Sequence, residues 1–318
     1  MSNFKAISMV WLSKVDLCNI NSGEGGGGNI VELKTYDGGR KPYASGQSVR
    51  HALREAIQRE YPDAFKSTPE FPSSDIEKDW LSDLFGYLDP KAGEGFDRRW
   101  SPIKVTPALG QTTSEIVTDL LLRMSIKDKA SDDSGKTATK DQRLAYVQLA
   151  ETIFRTGLSI DVANVGRVII PEVAKEKRGE KEVQVFKGYQ EKKQIGDIER
   201  QKRVVAVMEA VGRLSDFAKQ ARNAVSLSPD ILLIALLPVY SQRGLRGLCL
   251  SNDGDLHLEE TSAIVEDLKS LGGELVFGYT PGVIRNDSAF KNWLVSSGIE
   301  HTNPIDAIKK AVNLYRGQ

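Results

Sequence analysis

Cysteine and histidine are scarce in this chain, and their scarcity removes several chemistries. Only Cys18 and Cys249 occur among 318 residues, far apart and outside any metal-ligand spacing. Neither a disulfide framework nor a zinc module is expected, and a reducing compartment is. The three histidines, His51, His257 and His301, are scattered. There is no H-E-x-x-H pair and no G-x-S-x-G elbow, so no local hydrolytic motif is present. No uncharged run, in MSNFKAISMVWLSKVDL or later, reaches the length of a membrane span; the expected location is cytoplasmic, with no membrane partner. Charge of one sign is lacking too, because 43 Lys and Arg balance 43 Asp and Glu. Without the global cationic field that many nucleic-acid binders carry, an anionic partner must be held by local patches.

What is present suits a globular protein: 40% hydrophobic and 27% charged residues, enough to bury a core. Residues 4–18 (FKAISMVWLSKVDLC) are rich in strand formers, and residues 29–36 (NIVELKTY) alternate before the turn signal DGGRKP; both read as strands. A helix starts after SGQS, with Val49, Ala52, Leu53, Ala56 and Ile57 on one apolar arc. From 60 to about 140, polar interruptions suggest an insertion with long loops. Residues 141–154 (DQRLAYVQLAETIF) read as a helix or an apolar bridge back to the core, and GLSIDVANVGRVIIP as strand. Residues 173–203 hold ten Lys or Arg against six Asp or Glu, a basic stretch that suggests a projecting arm and leads into a helix over about 198–224. SPDILLIALLPV reads as a buried strand, LEETSAIVEDLKSLGG as an amphipathic helix, ELVFGYTPGVI as strand and turn, and 287–297 and 304–315 as closing helices. The fold class is α/β (α+β): a split β-α-β core of the ferredoxin or RNA-recognition kind with two large excursions.

Two phosphate-loop patterns are decoys. GEGGGG at 23–28 fits G-x-G-x-x-G, but a strand follows it, so no helix N-terminus is there to cradle a pyrophosphate; a hairpin loop, or a close approach by another backbone, fits better. ASDDSGKT at 130–137 matches a relaxed phosphate loop without the buried strand that should precede it. A nucleotide-dependent regulator using Lys136 is the reading it would support, and Lys136 and Lys140 could instead touch phosphates from a loop. No cofactor or metal is implied.

PYASGQSVRHALREAI, residues 42–57, poses an electrostatic problem. Arg50 and Arg54 sit in the first two turns of a helix whose N-terminus is already positive. One answer is a phosphodiester backbone held by helix amides, Ser45, Gln47, Ser48 and the two arginines. The other is that both arginines pair with surface acids while the serine merely caps the helix.

YASGQSVRHALREAI, following a strand, a glycine loop and a second strand, resembles the signature of the Cas-seven superfamily, specifically the DevR-type backbone subunit of type I CRISPR Cascade, of subtype I-B or a relative. LGGELVFGYTPGV resembles a second segment of that family. The resemblance implies a hand-shaped protein polymerising along one CRISPR RNA (crRNA), with other Cascade subunits and, through the guide duplex, target DNA as partners. It implies one elaborated domain: an RNA-recognition-like palm (1–59, 151–170 and 201–318), a fingers insertion (60–150) and a thumb or web (171–200). Carried over, the guide contacts are Asn19, Ser22, Ser45, Gln47, Ser48, Arg50 and Arg54, with Arg167, Lys192, Lys193, Arg243 and Arg246 added as basic loop residues. The type III relatives cleave target RNA with an aspartate in the first loop. The corresponding place here, GGGGN at 25–29, has no carboxylate, and Glu24 is the nearest. A structural, non-nucleolytic subunit is therefore expected.

Overall fold

The computed structural model describes residues 3–20, 30–67, 73–91, 95–125, 141–178, 181–215 and 224–317. In chain order the elements are β1 (Ala6–Cys18), β2 (Ile30–Val31), β3 (Thr35–Tyr36), β4 (Lys41–Ala44), α1 (Gly46–Glu60), α2 (Trp80–Phe85), β5 (Tyr87–Lys91), β6 (Gly95–Arg99), β7 (Ile103–Val105), β8 (Ala108–Gly110), β9 (Val117–Ser125) and β10 (Asp141–Asp161). The second half adds β11 (Arg167–Arg178), β12 (Lys181–Gln194), α3 (Asp197–Val211), β13 (Ile231–Leu237), α4 (Leu258–Ser270), β14 (Glu274–Tyr279), α5 (Asp287–Ser296), β15 (His301–Thr302) and α6 (Pro304–Arg316).

β1 lies at the centre of an eleven-stranded sheet because both its faces are apolar. Ile7, Met9 and Trp11 enter one core with α1, α3 and α6, while Ala6, Val10 and Leu12 enter a second with α4 and α5. β13 (ILLIALL) divides its residues between the same two cores. A strand covered on both sides reads as an unbroken hydrophobic run rather than an alternation. β1 pairs antiparallel with β10 and with β13, and β10 pairs antiparallel with β8. Hence β10 and β13 run parallel with β1 between them, and β1 and β8 run parallel with β10 between them. With α1 joining β1 to β7 and β8, and α3 joining β10 to β13, this is the split β-α-β arrangement expected, in the order β13-β1-β10-β8. β14 and β15 extend one edge, and β4 and β3 the other.

Several expectations are corrected. Residues 141–154 are strand, not helix: β10 runs for 21 residues, its first half pairing with β9 and its second with β1. An apolar run of this length satisfies either period, and pairing partners on both sides select the extended form. Residues 29–36 do not make one strand. β2 pairs parallel with β10, whereas β3 pairs antiparallel with β4. The helix expected to reach 224 ends at Val211, where Gly212 follows. β7 and β8, both within 60–150, pair with β10 in the central sheet.

β11 and β12 leave the sheet as a separate two-stranded hairpin anchored by a buried ionic knot. Asp83 of α2 is fully buried and accepts from Arg99 Nη2, from Arg203 Nη1 at 2.8 Å and from the Gly166 amide at 2.9 Å. Arg99 also donates to the carbonyls of Asp83, Asn164 and Arg167, and Arg203 to those of Ile76 and Glu77 and to the Glu199 carboxylate. The knot therefore ties α2, the end of β6, α3 and the root of the hairpin together, with its donors matched to acceptors as burial requires. Gly166 closes it at φ +71°, where a Cβ would fall 2.4 Å from Ile195 Cγ1, so both backbone and space demand glycine.

Candidate nucleic-acid interface

The start of α1 is built as the sequence suggests. Ser45 is its N-cap, with Oγ accepting from the Ser48 amide at 3.3 Å and lying 3.1 Å from the Ser48 hydroxyl. Both serines are half-buried, Gln47 is exposed, and no acidic residue occupies the first turn. The positive end of the helix thus has no carboxylate of its own first turn to compensate it.

Arg50 solves its electrostatic problem inside the chain. Its Nη2 donates at 2.7 Å to the carbonyl of Phe85, the last residue of α2, and its Nη1 donates to the Ile103 carbonyl at 3.2 Å and to Ser101 Oγ at 3.3 Å. The guanidinium also lies over the Phe85 ring, 5.3 Å from the centroid. Unsatisfied carbonyls at the end of one helix receive the cation placed at the start of another. Burial lowers the Arg50 pKa from its ordinary value. These hydrogen bonds brace α1 against α2 and β7. Arg54 turns the other way, with Nη2 2.9 Å from His51 Nδ1, while His51 Nε2 lies 3.1 Å from Glu55 Oε1. His51 Nε2 is nonetheless buried without a hydrogen-bond partner. Arg54 Nε is buried without a hydrogen-bond partner.

The remaining expected contacts are dispersed. Asn19, buried after β1, donates to the Gln148 carbonyl at 3.0 Å, and its Oδ1 has no hydrogen-bond partner. Ser22, the GEGGGG loop with Glu24, and residues 130–137 with Lys140 fall outside the described residues. On the hairpin, Arg167 is ion-paired with Glu191 at 2.6 Å, Lys192 is exposed, and Lys193 meets Asp75 at 2.9 Å and Glu77 at 3.1 Å. The hydrogen bond that Lys193 donates to Asp75 holds the lysine pKa above its ordinary value and, reciprocally, holds the Asp75 carboxyl low.

QRGLRG, residues 242–247, packs against the chain's own sheet. The loop forms a short 3-10 turn, Arg243–Arg246, over the second face of the sheet. A Cβ on Gly244 would sit 2.4 Å from Ser8 Oγ, so the close approach is to the chain's own β1. Arg155 of β10 donates to the carbonyls of Arg246 and Gly247, Arg243 pairs with Asp267 at 2.7 Å, and Arg246 is exposed. The sheet face that an RNA-recognition fold usually leaves open is here covered partly by this loop and by α4 and α5.

Sequence reasoning missed a cleft of about 310 Å³ at the root of the hairpin, lined by Arg98, Trp100, Lys104, Arg167, Ile169 and Tyr189 among others. The signal was legible in DRRWSPIK, where a tryptophan stands among three cations, but it lay within a stretch read only as interrupted loops.

Comparison with known proteins places this architecture. A chain of a CRISPR RNA-guided surveillance complex superposes with a TM-score of 0.52 at 12% identity, covering 97% of this chain and 99% of that one. A chain of a CRISPR RNA-guided surveillance complex in a pre-nicking state gives 0.54 at 10% identity, covering 98% and 100%. At such identity the likeness is one of fold, and it extends over nearly the whole of both chains. No curated protein matches the sequence. The model of the family described as CRISPR-associated negative auto-regulator DevR/Csa2 matches residues 53–243, more than half of the chain, and reaches from the middle of α1 through the hairpin and β13 to the turn at Arg243. This chain belongs to the DevR/Csa2 family of CRISPR-associated proteins.

Proposed function

We propose that this protein is a backbone subunit of a type I CRISPR surveillance complex, polymerising with copies of itself along a crRNA that it holds through phosphates and 2′-hydroxyls, independently of sequence. The observation that carries the reading is a ferredoxin-like palm of this family from which a cation-bearing hairpin projects. Base pairing between guide and target DNA then supplies the specificity, and the protein supplies the scaffold. The neutral net charge suits a subunit that must stack on its neighbours through complementary faces while presenting local cationic patches to RNA. The palm comprises the strands of the central sheet, including Ile103–Gly110; the fingers are the rest of 60–150; the thumb is the hairpin β11–β12. Guide contacts are assigned to Asn19, Ser22, Ser45, Gln47, Ser48 and Arg54, with Arg167, Lys192, Lys193, Arg243 and Arg246 in support, while Arg50 positions α1.

The subunit binds without cutting, because its first loop carries no carboxylate except Glu24. Purified protein should carry nuclease-sensitive RNA in a large, heterogeneous species, seen as a nucleic-acid-like ultraviolet absorbance ratio and an RNA band lost on RNase treatment. Failure of added crRNA to bind would overturn the reading, and magnesium-dependent cleavage of RNA at regular spacing would overturn its non-enzymatic part. Arg54→Glu should weaken binding of unrelated guides alike; a loss confined to some sequences would contradict backbone recognition.

A further inference from the structure

The two most exposed large aromatic rings among the described residues line the same cleft. Trp100 is 78% exposed and Tyr189 is 74% exposed, one following β6 and the other on β12. The other tryptophans contribute to packing: Trp11 and Trp80 are buried, and Trp293 stacks on Phe290. A lone exposed ring is ordinary; two converging on one concavity at the root of the hairpin are not. The Arg98 guanidinium lies over one side of the indole, 5.2 Å from its centroid, and the ring's high exposure leaves the other side open. Tyr189 meets Phe186 edge-on at 5.2 Å, which fixes its ring without covering it.

Cations surround these rings. Lys104 lies on β7 with Nζ 6.0 Å from the Tyr240 ring centroid, and Arg167 reaches the cleft while paired with Glu191. Asp161 is the acidic group in the wall and accepts from Asn164 Nδ2 at 2.7 Å. Arg99, also in the wall, is consumed by the ionic knot below, so the cleft floor is rigid. Open aromatic faces beside cations on a rigid floor suit an unpaired base whose phosphate lies nearby, because every base presents a π-face and every linkage a negative charge.

We propose that this cleft is a base-stacking subsite for single-stranded nucleic acid, with Trp100 and Tyr189 as stacking platforms and Lys104 as a phosphate contact. The inference rests on the nucleic-acid-binding reading above and adds Trp100, Tyr189 and Lys104 to the contacts assigned there, beside Arg167. It differs from them in kind: α1 and the hairpin cations read the backbone, whereas Trp100 and Tyr189 read the face of a base.

The test uses the full chain with a uridine-rich single-stranded RNA carrying 5-iodouridine, and with DNA of the same sequence. Photo-cross-links should map to Trp100 or Tyr189. Trp100→Ala should weaken binding roughly tenfold with an unchanged salt dependence, and Trp100→Phe should restore most of the loss. Lys104→Ala should instead reduce the slope of log affinity against log salt by about one. The two rings are exposed, so unchanged thermal melts of Trp100→Ala and Tyr189→Ala separate binding from folding. A marked preference for RNA would identify the occupant as the guide, and equal or stronger DNA binding would identify it as a target strand. Cross-links mapping elsewhere, with both alanine variants binding at wild-type strength, would overturn the subsite while leaving the subunit's RNA binding intact. A wild-type chain that binds neither strand would overturn the subsite and the functional reading together.

Discussion

Arg203 and Arg167 both sit at the root of the hairpin and are both held by carboxylates, yet they work under opposite conditions. Arg203 is fully buried and donates to Asp83, Glu199 and two carbonyls. Arg167 is about one-third exposed and pairs with Glu191 at the edge of an open cleft. A buried ion that loses its partner is left without water, whereas an exposed ion simply rehydrates. The charges of the knot are therefore committed to the fold, and those of the hairpin can exchange their acidic partners for a phosphate at little cost. Counting arginines would treat the two as equal; burial and partners separate them.

The largest effect should follow from Asp83→Ala, which strands two buried guanidiniums and the Gly166 amide. A loss of about 3–5 kcal/mol is expected from removing one member of a buried ionic network, read as a fall in the denaturant midpoint. A change no larger than a surface substitution would mean that the knot is hydrated and the contrast with Arg167 false. Arg50→Ala comes next, at about 2 kcal/mol, the scale of a charged hydrogen-bonding group serving buried carbonyls. Arg54→Ala should cost less stability than Arg50→Ala and more RNA affinity. The reverse order would return Arg50 to the phosphate-binding set.

Acid should then act selectively on the anchored region. Burial pushes the Asp79 carboxyl up, but hydrogen bonds from Ser67, Ser82 and the amides of Lys66 and Ser82 outweigh it and leave its pKa below the ordinary value. With the folded pKa depressed, the stabilisation is present above the unfolded carboxylate pKa of about 3.9 and is lost as pH falls through the folded value. The stability difference between wild type and Asp79→Asn should be constant near neutrality and shrink below about pH 4. A difference that grows on acidification would show that the carboxylate is held by burial rather than by its donors.

Much of the scaffold was legible because its signals are local or periodic. The Ser45 cap, the apolar arc of α1 and the run ILLIALL of β13 all follow from short-range rules. The misread element, β10, is one whose form is decided by partners distant in sequence: β9 and β1 flank it, and an apolar run alone does not say so. The site was less legible for the same reason. The hydrogen bonds of Arg50 are not legible within its own helix, because their acceptors, the carbonyls of Phe85 and Ile103, are supplied by α2 and β7. Trp100 and Tyr189 looked unrelated because the hairpin that brings Tyr189 to the cleft begins more than sixty residues after Trp100.

The smallest folding effect, and the one that bears most directly on the contrast between buried and exposed charge, belongs to Lys193. Its ammonium bridges Asp75 and Glu77 from the hairpin to the segment before α2, and both it and Asp75 are about one-third exposed. Hydrogen bonding raises the lysine pKa and lowers that of Asp75. The stabilisation from Asp75 is thus present above its unfolded pKa and lost on acidification, whereas that from Lys193 is present below its unfolded pKa and lost as alkali passes the raised folded value. Both contributions coexist on a plateau between about pH 4 and pH 10. An exposed pair of this kind contributes about 0–1 kcal/mol and weakens with salt. Lys193→Ala should therefore barely move the denaturant midpoint, yet it should reduce RNA affinity and the salt slope of binding by about one if a phosphate takes the place of the acids. Should Lys193→Ala unfold the hairpin instead, the ion pair would belong with Asp83 and Arg203 as a structural tie, and the boundary between charges that build the fold and charges that meet the guide would move outward along β12.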